Sequence, residues 1–108
     1  MFARSVAIRL KPNGLAEFSR VIENLAIPLL RRQKGFQDEI TFFVPGGSEA
    51  VEISLWDRKE DAEACGRTVS PEVGKVLEGL IEGASEVRIY AVSNSTFHKI
   101  AAPVFARG

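Results

Sequence analysis

The stretch from Gln37 to Trp56, QDEITFFVPGGSEAVEISLW, decides the fold. Two runs, 37–44 and 50–56, alternate apolar and polar residues around Pro45-Gly46-Gly47-Ser48. A period of two is the pattern of a half-buried strand, and glycine accepts the positive φ of a tight turn. The stretch therefore reads as a β-hairpin. Ile40, Phe42 and Val44 share one face of its first strand, and Val51, Ile53 and Leu55 share one face of its second.

Working outward, each side of the hairpin carries a helix and then a strand. Residues 2–11 alternate Val6, Ile8 and Leu10 with Ser5, Ala7 and Arg9. After Lys11-Pro12-Asn13-Gly14, with Asn13 a helix N-cap by its side-chain oxygen, a helix is predicted over 15–32. Its stripe is Leu15, Phe18, Ile22, Leu25 and Leu29. Pro28 should kink or split it, because proline removes one helical hydrogen bond and crowds the preceding turn. Gly35 supplies its stop. Downstream, Asp57-Arg58-Lys59-Glu60 fits a capping box ahead of a helix through Ala62, Cys65 and Val69. Ser70-Pro71-Glu72 restarts a helix over 71–82, Ser70 capping it. Val73, Val76, Leu77, Leu80 and Ile81 form the buried stripe, and Gly83 ends it. Val87, Ile89 and Ala91 alternate with Arg88, Tyr90 and Val92 in a last strand.

The order β-α-β-β-α-β predicts an α+β, ferredoxin-like fold: one antiparallel four-stranded sheet with helices on one side. The all-apolar face (Val6/Ile8/Leu10, Ile40/Phe42/Val44, Val51/Ile53/Leu55, Val87/Ile89/Ala91) should meet the helices. The opposite face, with Arg9, Phe43, Glu52, Trp56, Arg88 and Tyr90, reads as a sheet-to-sheet homodimer interface in which Arg9 or Arg88 meets Glu52 across a two-fold axis. A solvated face is the alternative. One domain uses residues 1–108, with a core over about 2–92. The tail, 93–108, carries Phe97, Ile100, Val104 and Phe105 without a period, and packing on a dimer partner is one reading of it.

Composition narrows the function. Lys+Arg and Asp+Glu are 14 each, so the net charge is zero, which argues against a general nucleic-acid binder. One Cys and one His exclude an internal disulfide, zinc fingers and multi-His metal sites. No signal peptide and no apolar run of membrane-spanning length are visible, so a cytoplasmic location is the expectation.

Three stretches carry a family resemblance: FARSVAIRLKPNG (2–14), Lys34-Gly35-Phe36, and EISLWDRKEDA (52–62), a strand ending in Trp56 followed by a charged helix start. Over about residues 2–92 the chain resembles the antibiotic-biosynthesis-monooxygenase-like (ABM) members of the dimeric α/β-barrel superfamily. The resemblance implies a homodimer. It also implies one of three kinds of protein: a cofactor-independent oxygenase of polyketide quinols or anthrones, a haem-degrading enzyme, or a protein without known reaction. The haem-degrading pattern is broken: Ile8 stands where an Asn is needed, and helix 71–82 has no His, although Trp56 matches. No cofactor and no metal are therefore expected.

As site residues, Trp56 reads as one wall of an aromatic-substrate pocket or as a core anchor. Phe18, Ile22, Phe36, Phe42, Cys65 and Val69 line the same helix–sheet cavity or pack as core. Cys65 has no activating neighbour in sequence and reads as an inert core thiol; His98 lies in the tail. Glu52 is a base if buried and an interfacial ion-pair partner otherwise. No catalytic residue is identified. Two readings stay open: a cofactor-independent monooxygenase-like protein acting on a small aromatic compound, and a non-catalytic dimeric module binding a hydrophobic ligand.

Overall fold

A computed structural model of the protein describes residues 1–100, so Val104 and Phe105 lie outside the described residues. Strand β1 (Phe2–Leu10) leads to α1 (Leu15–Val21), a π-helical stretch over Ile22–Ala26, and α2 (Ile27–Arg31). The hairpin follows as β2 (Phe36–Phe43) and β3 (Glu49–Trp56). Helices α3 (Lys59–Thr68) and α4 (Ser70–Leu77) and a 3-10 turn over Glu78–Leu80 precede β4 (Ile81–Ala91). All neighbouring strands are antiparallel, in the order β2-β3-β1-β4, and the helices pack on one face. This is the ferredoxin-like α+β architecture.

Local chemistry explains most boundaries. Pro28 has no N–H to donate, and the helix is split as expected, with the π-helical stretch lying in the turn before it. Asn13 does not cap α1. It adopts φ +63, and Gly14 occupies the N-cap position without a side-chain bond. Asp57 does not close a capping box either: Arg58 is the N-cap, and Asp57 accepts a hydrogen bond from Gln37 Nε2 at 2.7 Å. Ser70 opens α4 without a side-chain cap bond. The hairpin turn closes as expected, Gly46 taking φ +73 and Val44 donating to the Glu49 carbonyl at 3.0 Å. Helix α4 stops earlier than its apolar stripe implies. Ile81 already pairs with Leu10 in the sheet, and Gly83, at φ +71, sits where the β1–β4 register shifts instead of ending a helix.

The hairpin faces the opposite way from expectation. The register sets Glu52 opposite Val6, Ala50 opposite Ile8 and Ser54 opposite Arg4. Residues directly opposite share a face, so Ala50, Glu52, Ser54 and Trp56 point toward the helices with Val6, Ile8 and Leu10. Val51, Ile53 and Leu55 point away, joined by Ile40 and Phe42 of β2. Phe43 lies opposite Ala50 and so belongs to the helix side, where it is exposed at the edge strand. Bulky helix residues explain the choice. Phe18, Leu30 and the indole of Trp56 fill the layer, and small Ala50 and Ser54 let the helices approach the sheet. For β1 and β4 the expected faces hold: Arg9, Arg88 and Tyr90 lie on the side away from the helices.

Candidate functional site

Between the sheet and the helices lies a cavity of about 180 Å³. Its walls are chiefly apolar: Val6 and Ile8 from β1, Phe18, Ile22 and Leu30 from the first helical layer, and Val69, Val73 and Leu77 beneath α3 and α4. At the β4 side it is bordered by Ser85 and Val87, both exposed, so the cavity opens past this edge strand. Four of the expected lining residues meet here, namely Phe18, Ile22, Cys65 and Val69. Trp56, Phe36 and Phe42 do not join them. Trp56 is fully buried, donates from its indole Nε1 to Ser54 Oγ at 2.8 Å, and meets the Phe36 ring edge-on with centroids 5.5 Å apart. Phe42 lies on the far face of the sheet, in a shallow depression with Ile40, Ile53 and Leu55.

The polar groups of the cavity are Arg4, Glu52, Cys65, Ser70 and Ser85. Glu52 is not an interface residue meeting Arg9 or Arg88. The strand register turns it inward, Arg9 pairs with Glu49 at 3.3 Å, and Arg88 pairs with Glu86. Glu52 Oε2 is shut off from solvent and has no hydrogen-bond partner among the described residues. Burial, with a hydrogen bond and repulsion from Glu39, raises its pKa from 4.5 to about 8, against the pull of the Arg4 charge. Glu39, on the same face of β2, accepts a hydrogen bond from Thr41 at 2.5 Å.

Arg4 is 7% exposed, yet among the described residues its side chain makes no ion pair or hydrogen bond. It runs beneath α3 at Gly66, where an added Cβ would come 3.4 Å from Nη2. Burial pushes the Cys65 thiol up and Glu52 adds to it, while Arg4 and a hydrogen bond from Ser70 oppose the rise. Cys65 is thus a neutral thiol in the wall and not an activated nucleophile. It has no dyad with His98, whose Nε2 meets Asp38 Oδ2 on β2, opposite Leu55 on the sheet face away from the helices.

Arg4 is the residue that sequence reasoning passed over. It shares parity with Val6, Ile8 and Leu10, and that parity puts it on the inward face of β1. Among the described residues no group of three or more His, Cys, Asp or Glu is placed to hold a metal ion, and no helix is long and apolar enough to cross a membrane.

The chain matches no family model and no curated protein sequence. Solved structures share its fold. SnoaB, a cofactor-independent oxygenase from Streptomyces nogalater, superposes with a TM-score of 0.72 at 16% identity, over 88% of this chain and 95% of its own. A protein of unknown function from Nitrosomonas europaea gives 0.74 at 16% identity, over 94% of each chain. An antibiotic biosynthesis monooxygenase gives 0.70 at 11% identity, over 87% of this chain and 100% of its own. At these identities the likeness is one of fold: the chain has the ferredoxin-like architecture of the ABM-like proteins.

Proposed function

We propose that the chain is an oxygenase needing no cofactor, which holds a small phenolic aromatic in the helix–sheet cavity and presents its ionised form to O₂. The observation that carries this reading is Glu52, a carboxyl with an unpartnered buried oxygen, facing the same apolar cavity as a buried arginine. The shared fold with SnoaB supports the reaction class.

The chemistry needs little from the protein. Ground-state O₂ reacts slowly with neutral closed-shell molecules and faster with an electron-rich phenolate or enolate, which donates the first electron. For an anthrone the net reaction is R₂CH₂ + O₂ → R₂C=O + H₂O, and for a hydroquinone it is QH₂ + O₂ → Q + H₂O₂, both of its hydrogens leaving with the two oxygen atoms. With the anthrone, one oxygen atom becomes the new carbonyl, and the other leaves as water with the two hydrogens. The Glu52 carboxylate takes the phenol or enol proton, and its pKa of about 8 keeps that transfer near balance. The Arg4 charge stabilises the oxyanion left behind. Phe18, Ile22 and Val69 orient the ring and exclude water from it. The working unit is a homodimer paired through the sheet face opposite the helices.

An oxygen electrode tests this with 1,8-dihydroxyanthrone and a one-ring alkylhydroquinone as substrates. Uptake should exceed autoxidation, consume one O₂ per carbonyl formed for the anthrone, rise with pH to a plateau above about 8, and fall roughly 100-fold or more in Glu52→Gln. Uptake no faster than autoxidation with either substrate would sink the oxygenase reading and leave a non-catalytic binding module.

A further inference from the structure

We infer that Arg4 and Glu52 make the cavity a receptor for the oxyanion of a single-ring aromatic, a carboxylate or a phenolate on a compact apolar body. The inference rests on the cavity being the functional site and not on oxygen chemistry there.

Three observations converge on it. The first is Arg4. A guanidinium stays charged in a protein, so burial without a counter-charge leaves a standing electrostatic cost. Arg4 is 7% exposed, and among the described residues no carboxylate pairs with it. Glu52, one strand away and facing the same cavity, forms no ion pair with it. A cation in this state is poised for an external anion, and the guanidinium fork suits the two oxygens of a carboxylate.

The second is the Glu52 Oε2 atom, buried with no partner. With its carboxyl protonated, Glu52 donates a hydrogen bond to the same ligand oxygen that Arg4 holds, in place of the one it shares with Glu39. The groups that bias it are Arg4 from β1 and Glu39 from β2, of which only Arg4 is a cation, and the Cys65 thiol of α3 faces the same cavity. The ligand oxygen and Glu52 therefore share one proton beside the Arg4 charge: binding the ionised ligand to the protonated acid is the same state as binding the neutral phenol to the carboxylate.

The third is size. An apolar cavity of about 150 Å³ holds benzene. The cavity here, about 180 Å³, takes one substituted ring, and anything larger must extend past Ser85 and Val87 at the β4 edge.

Calorimetric titration of the full chain with benzoate, with 4-nitrophenol and with benzamide as the uncharged control tests the proposal. Benzoate should bind at least about tenfold tighter than benzamide at pH 6.5. Bound 4-nitrophenol should show its visible phenolate absorption at a pH where the free compound is largely neutral. Whichever binds tighter identifies the oxyanion as carboxylate or phenolate. Above about pH 8 benzoate affinity should fall toward tenfold per pH unit as Glu52 ionises. Glu52→Gln should keep the affinity at pH 6.5 and abolish that fall, and Arg4→Met should lose benzoate binding while unfolding cooperatively.

Equal binding of benzoate and benzamide by the unaltered chain, with bound 4-nitrophenol showing no phenolate absorption, would overturn the proposal, as would a Glu52→Gln variant with an unchanged high-pH fall. Because these readouts involve no turnover, anion binding without O₂ uptake would refute the oxygenase alone. Uptake without anion selectivity would refute the receptor alone.

Discussion

A carboxyl group drawn from water into an apolar cavity keeps its proton to higher pH, and for Glu52 the rise is from 4.5 to about 8. The folded chain then holds a proton that the unfolded chain has released. Between those two values stability must fall as pH rises, and above about 8 it levels off. The effect is opposite in sign to that of a salt-bridged carboxylate, which stabilises the fold at high pH. Urea unfolding at pH 5 and pH 8.5 should show a lower midpoint at the higher pH for the unaltered chain. Glu52→Gln, which carries no titrating proton, should be nearly flat across that window and the more stable of the two at pH 8.5. A midpoint for the unaltered chain that rises with pH would refute the burial of this group. The parity of β1 already put Arg4 inward. Nothing in β3 alone revealed that Glu52 faces it, because the inward face of that strand, Ala50, Glu52, Ser54 and Trp56, is the less apolar of its two.

At the scale of elements, two glycines with nearly equal φ carry different weight. Gly35, at φ +79, joins α2 to β2, and its carbonyl accepts the Asp57 N–H at 2.8 Å. A Cβ there would come 2.1 Å from Asp61 Oδ2 in the first turn of α3. Gly46, at φ +73 in the hairpin turn, has nothing within 4 Å of such a Cβ. Gly46→Ala should therefore cost only the left-handed backbone penalty, about 1–2 kcal/mol. Gly35→Ala should cost that plus the displacement of Asp61 from its packed position, about 2–4 kcal/mol in all. Equal losses of thermal midpoint in the two variants would mean that the Asp61 contact yields freely. Both glycines stood out in the sequence as breaks between periodic segments. The π-helical stretch before Pro28 did not, since the apolar spacing of Leu15, Phe18, Ile22, Leu25 and Leu29 is that of an uninterrupted helix. The end of α4 was obscured for a similar reason. Leu77, Leu80 and Ile81 continue a helical stripe, and only pairing with β1 commits Ile81 to the sheet.

For the whole molecule, the reversed hairpin changes what the outer sheet face says. With Val51, Ile53 and Leu55 turned away from the helices, that face is more apolar than sequence alone implied. Ile40 is 49% exposed, Phe42 52% and Tyr90 48%, and the helices all lie on the other side. The order of elements and the four strands were legible because each has a strong local period. The facing of β2 and β3 was not, because a sheet with an apolar surface on both sides defeats the rule that the more apolar side is the core. An apolar face gains from cover, and in the proposed homodimer a second copy would supply it at no cost in charge. The flanks carry both signs, Arg9 with Glu49 and Arg88 with Glu86, and the chain is neutral as a whole. Native mass spectrometry should give twice the chain mass. Ile53→Lys puts a charge at the centre of the face while leaving the helix-side core untouched, so it should yield a folded monomer with unchanged secondary structure. A buried interface that loses one aliphatic side chain and gains an unpaired charge weakens by several kcal/mol, on the order of a thousandfold or more in affinity. If the unaltered chain is a monomer at tens of micromolar, or Ile53→Lys remains as dimeric as its parent, this face is not where the copies meet.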